Sequence, residues 1–232
     1  MQHAASETGL DPAAELIPDP PAVAVGVFGD RLPLVRRYVR HLATTGVEWG
    51  LLGPREVPRL WERHVLNCAV LTDLLPPDAE VLDIGSGAGL PGIALALRRP
   101  DLRITLVEPL LRRVDWLTMV VADLQLTGVR VRRTRAEDLV GDVRVPHVTA
   151  RAVASLDRLC RWSLPLLEPG GELLAIKGRS ASDEVGRTRS AVRRAGGVRT
   201  DIVELAAGLL GDPVTVVRVR VAQDAPADRP RR

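Results

Sequence analysis

The stretch VLDIGSGAGLPGIALALRRP at positions 81–100 sets the tightest limit on what this chain can fold into. An apolar strand runs into a glycine-rich loop and then a helix. That order presents free backbone N–H groups to a ligand at the carboxyl end of a strand. From position 78 onward, short apolar runs alternate with helical patterns. Strands are predicted at 79–84, 102–107, 129–133, 146–150 and 171–176, and helices at 91–98, 110–126, 155–167 and 182–194. Two late strands, 198–205 and 214–221, can pair as a hairpin-like edge. Alternation of this kind implies an α/β fold, a mostly parallel sheet of seven strands covered on both faces.

Two glycine registers fit the loop. Gly87, Gly89 and Gly92 spell G-x-G-x-x-G, the dinucleotide fingerprint. Gly85, Gly87 and Gly89 spell G-x-G-x-G with Asp83 two residues ahead, as in methyltransferases that use S-adenosylmethionine. The second strand ends in Glu108, twenty-one residues after Gly87, where an acid can accept both ribose hydroxyls of an adenosine. Glu108 serves either cofactor, so the loop and this acid leave the choice open. The third strand runs into Ala136 and Glu137, where an adenine base can be cradled, and Arg151 follows the fourth, where a guanidinium can hold a carboxylate or a phosphate.

Ahead of the sheet, Leu34, Val35, Tyr38, Val39 and Leu42 recur at helical spacing, and a second helical stretch runs over 56–75, interrupted by Pro58. The expected organisation is a mobile tail over 1–28, a helical extension over 29–77, a sheet domain over 78–222 and a disordered tail over 223–232. Cys68 and Cys160 lie far apart without C-x-x-C spacing, so both are expected to be reduced core residues, with no metal or iron–sulfur centre. No uncharged apolar run reaches about 18 residues and the N-terminus lacks a secretory pattern, which makes the cytoplasm the expected location. The chain carries a formal +3; residues 1–28 hold four acids and no Lys or Arg, leaving +7 on the rest. A basic body suits an anionic partner such as nucleic acid, but Lys177 is the only lysine among 32 cationic residues, so an arginine bias of the genome explains the composition equally well.

Acceptor chemistry narrows by elimination. Exocyclic amine methylation calls for [DN]-P-P-[aromatic] after the fourth strand, where this chain has Thr149, Ala150, Arg151 and Ala152; its one D-P-P, beginning at Asp19, sits in the acidic N-terminal segment. C5 methylation of a pyrimidine needs a nucleophilic cysteine at a strand end, and Cys160 falls in a helix. An acceptor that is nucleophilic without a base remains. Guanine N7 has an in-plane lone pair and no proton, so positioning alone suffices and no catalytic residue is expected.

With those residues in view, the chain resembles the bacterial guanine-N7 methyltransferases of small-subunit ribosomal RNA, the glucose-inhibited division protein B family. The resemblance rests on ordered blocks: WERHVLNCAVL (61–71), VLDIGSGAGLPGIALA (81–96), LVEPLLRRVDWL (106–117), RAEDL (135–139), ARAVASLDRL (150–159) and LLAIKG (173–178). It implies a class I S-adenosylmethionine-dependent methyltransferase, a Rossmann-like fold with an N-terminal helical extension. The implied substrate is a guanine in the decoding-region loop of 16S ribosomal RNA, within the small subunit or its precursor. It implies that Gly85, Leu90, Ala136, Glu137 and Arg151 contact the cofactor, beside Asp83, Gly87, Gly89 and Glu108 from the reading of the residues. Asn67 departs from the family, which commonly has Asp there.

Arg63, His64, Arg112, Arg113, Arg151 and Lys177 are the expected RNA contacts, by a monomer. His64 has a structural alternative, a hydrogen-bonded helix residue at the junction with the sheet domain. Trp61 and Trp116 could stack on a base, but their helical spacing suits core positions. The competing functions are a small-molecule methyltransferase, a nicotinamide-dependent oxidoreductase and a non-catalytic assembly factor.

Overall fold

A computed structural model describes residues 17–224. Residues 1–16 and 225–232, most of the two expected tails, lie outside the described residues.

Seven strands form one sheet in the order β3-β2-β1-β4-β5-β7-β6. They are β1 (Glu80–Ile84), β2 (Arg103–Val107), β3 (Val129–Arg132), β4 (Val145–Arg151), β5 (Leu167–Lys177), β6 (Gly197–Leu205) and β7 (Val214–Val221). The first five run parallel, and β7 is antiparallel to both β5 and β6. The late hairpin therefore does not extend the edge in chain order: β7 inserts beside β5 and pushes β6 outward. This differs from the wholly parallel 3-2-1-4-5-6 order of dinucleotide-binding folds.

Alternate residues of each strand feed two cores, one on each face. Val81, Ile104, Leu106, Leu174 and Val216 face one side, against α5 (Gly92–Arg98), α6 (Leu111–Asp123) and the N-terminal helices. Leu82, Val107, Val148, Leu173 and Val217 face the other, against α7 (Leu156–Ser163) and α8 (Ala181–Arg194). Trp61 and Trp116 are buried in the first core, so their helical spacing marks packing rather than a stacking platform.

The N-terminal part comprises α1 (Ala22–Phe28), α2 (Leu32–Ala43), the single turn α3 (Thr45–Glu48) and a helical run over 54–74. That run changes pitch, from 3-10 (Pro54–Arg59) to π (Leu60–Leu66), then α4 (Asn67–Ala69), then 3-10 (Val70–Leu74). Pro58 lies within its first part, which lacks α pitch. Residues 22–28, expected in a mobile tail, correct that boundary: Ala24 and Phe28, one turn apart, are buried in the core. Among the bonds that fasten this part to the sheet domain, Arg31 Nε donates to the Leu97 carbonyl (2.7 Å), Trp116 Nε1 to Thr45 Oγ1 (3.0 Å) and Tyr38 Oη to the Ala88 carbonyl (2.6 Å). Among the described residues no helix is long and apolar enough to cross a membrane.

Candidate functional site

The strand order reverses between β1 and β4, and at the carboxyl ends of these strands the structure opens into a cavity of about 560 Å³. That volume lies within the range of small-molecule sites. Its floor is the loop after β1: Gly85, Ser86, Gly87, Ala88 and Leu90 all line it. The loop is pinned to the end of β2 as the Gly85 N–H donates to the Val107 carbonyl (2.8 Å), and turns back on itself as the Gly89 N–H donates to the Ser86 carbonyl (2.7 Å). Gly85 adopts φ +66°, and a Cβ there would come within 2.9 Å of both Val153 methyls, so only glycine keeps this floor open.

Asp83 holds the loop from behind. Its Oδ2 accepts the Gly92 N–H (3.1 Å) and its Oδ1 the Thr149 hydroxyl (3.3 Å), while Ser86 Oγ donates to the Asp83 carbonyl (2.9 Å). The carboxyl is fully buried, and desolvation raises its pKa to about 7 in spite of those bonds. Asp83 does not line the cavity, and neither does Gly89. Both were expected to contact the cofactor; strand alternation and the loop's curvature turn them toward α5 instead. A Cβ on Gly92 would strike Leu106 and come within 2.8 Å of Asp83 Oδ2, so the third glycine of the dinucleotide fingerprint serves helix–strand contact.

Glu108, 1% exposed, accepts the Gly87 N–H with one carboxylate oxygen and the Leu110 N–H with the other (both 3.1 Å), and Arg113 stands 3.5 Å away. It thus braces the loop and the start of α6 while lining the cavity. Ala136 and Glu137 line it as well, from the 3-10 turn after β3.

Arg151, at the end of β4, reaches across to the N-terminal part. One guanidinium nitrogen donates to the His64 carbonyl (3.4 Å) and to Cys68 Sγ (3.2 Å); the other donates to the Arg63 carbonyl (3.1 Å) and meets His64 Nδ1 at 2.8 Å. A guanidinium only donates, so His64 Nδ1 accepts and its Nε2–H donates to Glu56 Oε2 (2.7 Å). Burial, and then the Arg151 charge, lower the pKa of His64, keeping the ring neutral with both nitrogens engaged. The thiols are inert: burial raises Cys68, and pushes Cys160 up to about 12.

The expected RNA contacts divide. Arg113, Arg151 and His64 line the cavity. Arg63 is exposed beside Glu56 (3.5 Å), and Arg112 is exposed with one donor on the Glu48 carbonyl (3.3 Å). Lys177 departs from the expectation. Its Nζ bonds the Ala154 carbonyl (2.9 Å) and Glu184 (3.1 Å) with its side chain 13% exposed, a strut between β5 and α8 rather than a free cation. Sequence reasoning missed Leu51, Leu52, Arg135, Val153, Arg158 and Trp162, which also line the cavity. The i, i+4 spacing of Arg158 and Trp162 was the one signal for that pair.

The family model described as rRNA small subunit methyltransferase G matches residues 31–210. The ribosomal RNA small subunit methyltransferase G of Renibacterium salmoninarum is 58% identical over 201 residues, covering 86% of this chain and 94% of the relative. The protein of that name from Streptomyces coelicolor is 53% identical over 215 residues, covering 92% and 90%. Among solved structures, the S-adenosylmethionine-dependent methyltransferase SibL in its apo form superposes with a TM-score of 0.56 at 20% identity, covering 87% of this chain and 70% of that one. An S-adenosylmethionine-dependent methyltransferase from Aquifex aeolicus gives 0.52 at 16%, covering 74% and 100%. The fold is thus that of the class I methyltransferases. With a family model spanning most of its length and relatives above half identity, the chain belongs to the rRNA small subunit methyltransferase G family.

Proposed function

We propose that the chain transfers a methyl group from S-adenosylmethionine to N7 of a guanine in the decoding-region loop of 16S ribosomal RNA, within the small subunit or its precursor. The observation that carries the N7 reading is that no histidine or cysteine among the described residues of the cavity is free to act as base or nucleophile, while the one unpaired carboxylate, Glu137, falls where the adenine is expected. Both nitrogens of His64 are engaged, and Glu108 accepts two backbone N–H groups. The cysteines are buried with raised pKa values, and β4 ends without the motif of amine methylation.

When bound, S-adenosylmethionine supplies an electrophilic methyl on a sulfonium. The residues fit it: Gly85 and Gly87 leave room for close approach to the backbone, and Glu108 presents a buried carboxylate for ribose hydroxyls. Ala136 and Glu137 flank the adenine region, Leu90 closes the floor, and Arg151 offers a guanidinium to the carboxylate. Asp83 and Gly89 support the loop. The chain's work is to hold donor and acceptor in line, which in favourable cases supplies on the order of 7–11 kcal/mol of the barrier. Ribosomal RNA as the substrate suits action in the cytoplasm.

Small ribosomal subunits from cells lacking the modification, incubated with the chain and methyl-labelled S-adenosylmethionine, should take up label at one guanine N7 on nucleotide mapping. Label on another atom or on no ribosomal RNA would reject the proposal.

A further inference from the structure

We propose that Arg135 and Arg158, on one rim of the cavity, clamp backbone phosphates of the RNA strand that carries the target base, and that Trp162 is the positioning residue for Arg158. The inference rests on the reading of the site as a ribosomal RNA methyltransferase and names the surface that receives the strand.

Charge balance points there. Four arginines line the cavity, Arg113, Arg135, Arg151 and Arg158, against two carboxylates, Glu108 and Glu137. S-adenosylmethionine carries a sulfonium, an ammonium and a single carboxylate, so it is itself a cation, and surplus guanidinium charge opposes its binding. Two of the arginines are accounted for. Arg113 stands 3.5 Å from Glu108, and Arg151 is tied to the N-terminal part and suffices for the one carboxylate. Arg135 and Arg158 are exposed, and among the described residues neither guanidinium pairs with a carboxylate; the acid beside Arg158 in sequence, Asp157, pairs with Arg161. Even against the unpaired carboxylate of Glu137, two such cations leave a positive surplus at the mouth of a cation-binding cavity, which is repulsive unless an anion joins them.

Their placement fits a strand of phosphates. The guanidinium carbon of Arg158 lies 4.7 Å from the centroid of the Trp162 ring, a cation–π contact between residues four apart on α7. Trp162 is half-buried and so gives the exposed arginine a fixed plane. α7 packs against the 3-10 turn Ala136–Leu139 that begins directly after Arg135, which puts both arginines on adjoining elements. Planar forks presented side by side suit the paired oxygens of phosphodiesters and read no base sequence.

The test uses the full chain and a single-stranded ribosomal RNA fragment containing the target loop. Its dissociation constant is measured against salt, with S-adenosylmethionine affinity measured separately by calorimetry. Arg135→Gln and Arg158→Gln should each weaken RNA binding roughly tenfold and flatten the log–log salt slope by about 0.7, the double variant by about 1.4, with cofactor affinity not weakened, because each change removes a charge that opposes the cationic donor. Turnover on small subunits should show a raised KM for RNA at constant kcat. Trp162→Leu should lose part of the RNA affinity and Trp162→Phe, which keeps an aromatic face, should regain it. RNA affinity and salt slope equal to the unaltered chain in both arginine variants would overturn the clamp, as would losses matched by equal losses of cofactor binding. If the unaltered chain neither binds nor methylates ribosomal RNA, the underlying function falls instead, and the two failures are distinct.

Discussion

Replacing Asp83 by Asn should make the protein more stable above neutral pH while preserving the loop. Asn offers one oxygen for the Gly92 N–H and an amide that can donate to the Thr149 hydroxyl, so both bonds survive without a buried charge. Desolvation lifts the Asp83 pKa from 3.8 to about 7 in the folded protein. The folded state therefore holds a proton that the unfolded chain releases near pH 4, and stability falls as pH rises from about 4 to 7, then levels. At about 1.4 kcal/mol for each tenfold change in proton affinity, that rise corresponds to about 4 kcal/mol. Other titrating groups contribute equally to both proteins, so the stability difference between them isolates Asp83. Urea unfolding followed by tryptophan fluorescence at pH 4.5, 6 and 8 should show Asp83→Asn gaining on the wild type by about 3 kcal/mol across the series, the first part of the rise being already complete at pH 4.5. A difference that stays constant from pH 4.5 to 8 would refute the reasoning, because it would mean that Asp83 is ionised throughout.

Three further outcomes follow from the same geometry. Glu108→Gln leaves one backbone N–H of Gly87 or Leu110 without its acceptor, and should raise the dissociation constant for S-adenosylmethionine about 10- to 100-fold by calorimetry; an unchanged constant removes Glu108 from the site. Gly92→Val places a Cβ against Leu106 and Asp83, and should cost about 3 kcal/mol, seen as a Tm lower by roughly 6–12 °C; an unshifted Tm contradicts the close helix–strand contact. Burial alone would raise Glu172, but His147 and Arg218 hold its carboxyl down to about 2, so its stabilisation is present above pH 4.5 and lost as pH falls toward 2. Glu172→Gln should therefore lose about 3 kcal/mol at pH 7 and nothing near pH 2, and a loss independent of pH would exclude this ion cluster as the cause.

What could be read from the residues depended on how local the signal was. The strands were legible within a residue or two at most ends, because each is a short apolar run bounded by turn residues; β5 alone begins well before its expected start. The place of β7 was not legible, since insertion between β5 and β6 is decided by pairing across the sheet rather than along the chain. Glycine loop, Glu108, Ala136 and Glu137 were found at the cavity because they end strands, and all strand ends on one side of a parallel sheet meet. Asp83 ends a strand too, yet it points to α5. A shift of one position along a strand reverses the face, and adjacency to the loop carries no information about that. The Arg151–His64 contact spans 87 residues, and Trp162 sits on a helix whose rotation only packing determines. The short α1 escaped notice because two buried side chains, Ala24 and Phe28, are too few to stand out as a period.

The tie from Arg151 to Arg63 and His64 also sets an order on the birth of the molecule. At synthesis rates of roughly 5–20 residues per second, Arg151 follows Arg63 out of the ribosome by about 4–18 s. Within that interval the nascent chain gains the glycine loop that the Tyr38 hydroxyl grips, but not yet the crossbar that joins the two walls. The crossbar thus forms only once β4 has taken its place beside β1, after both of the walls it joins have been made.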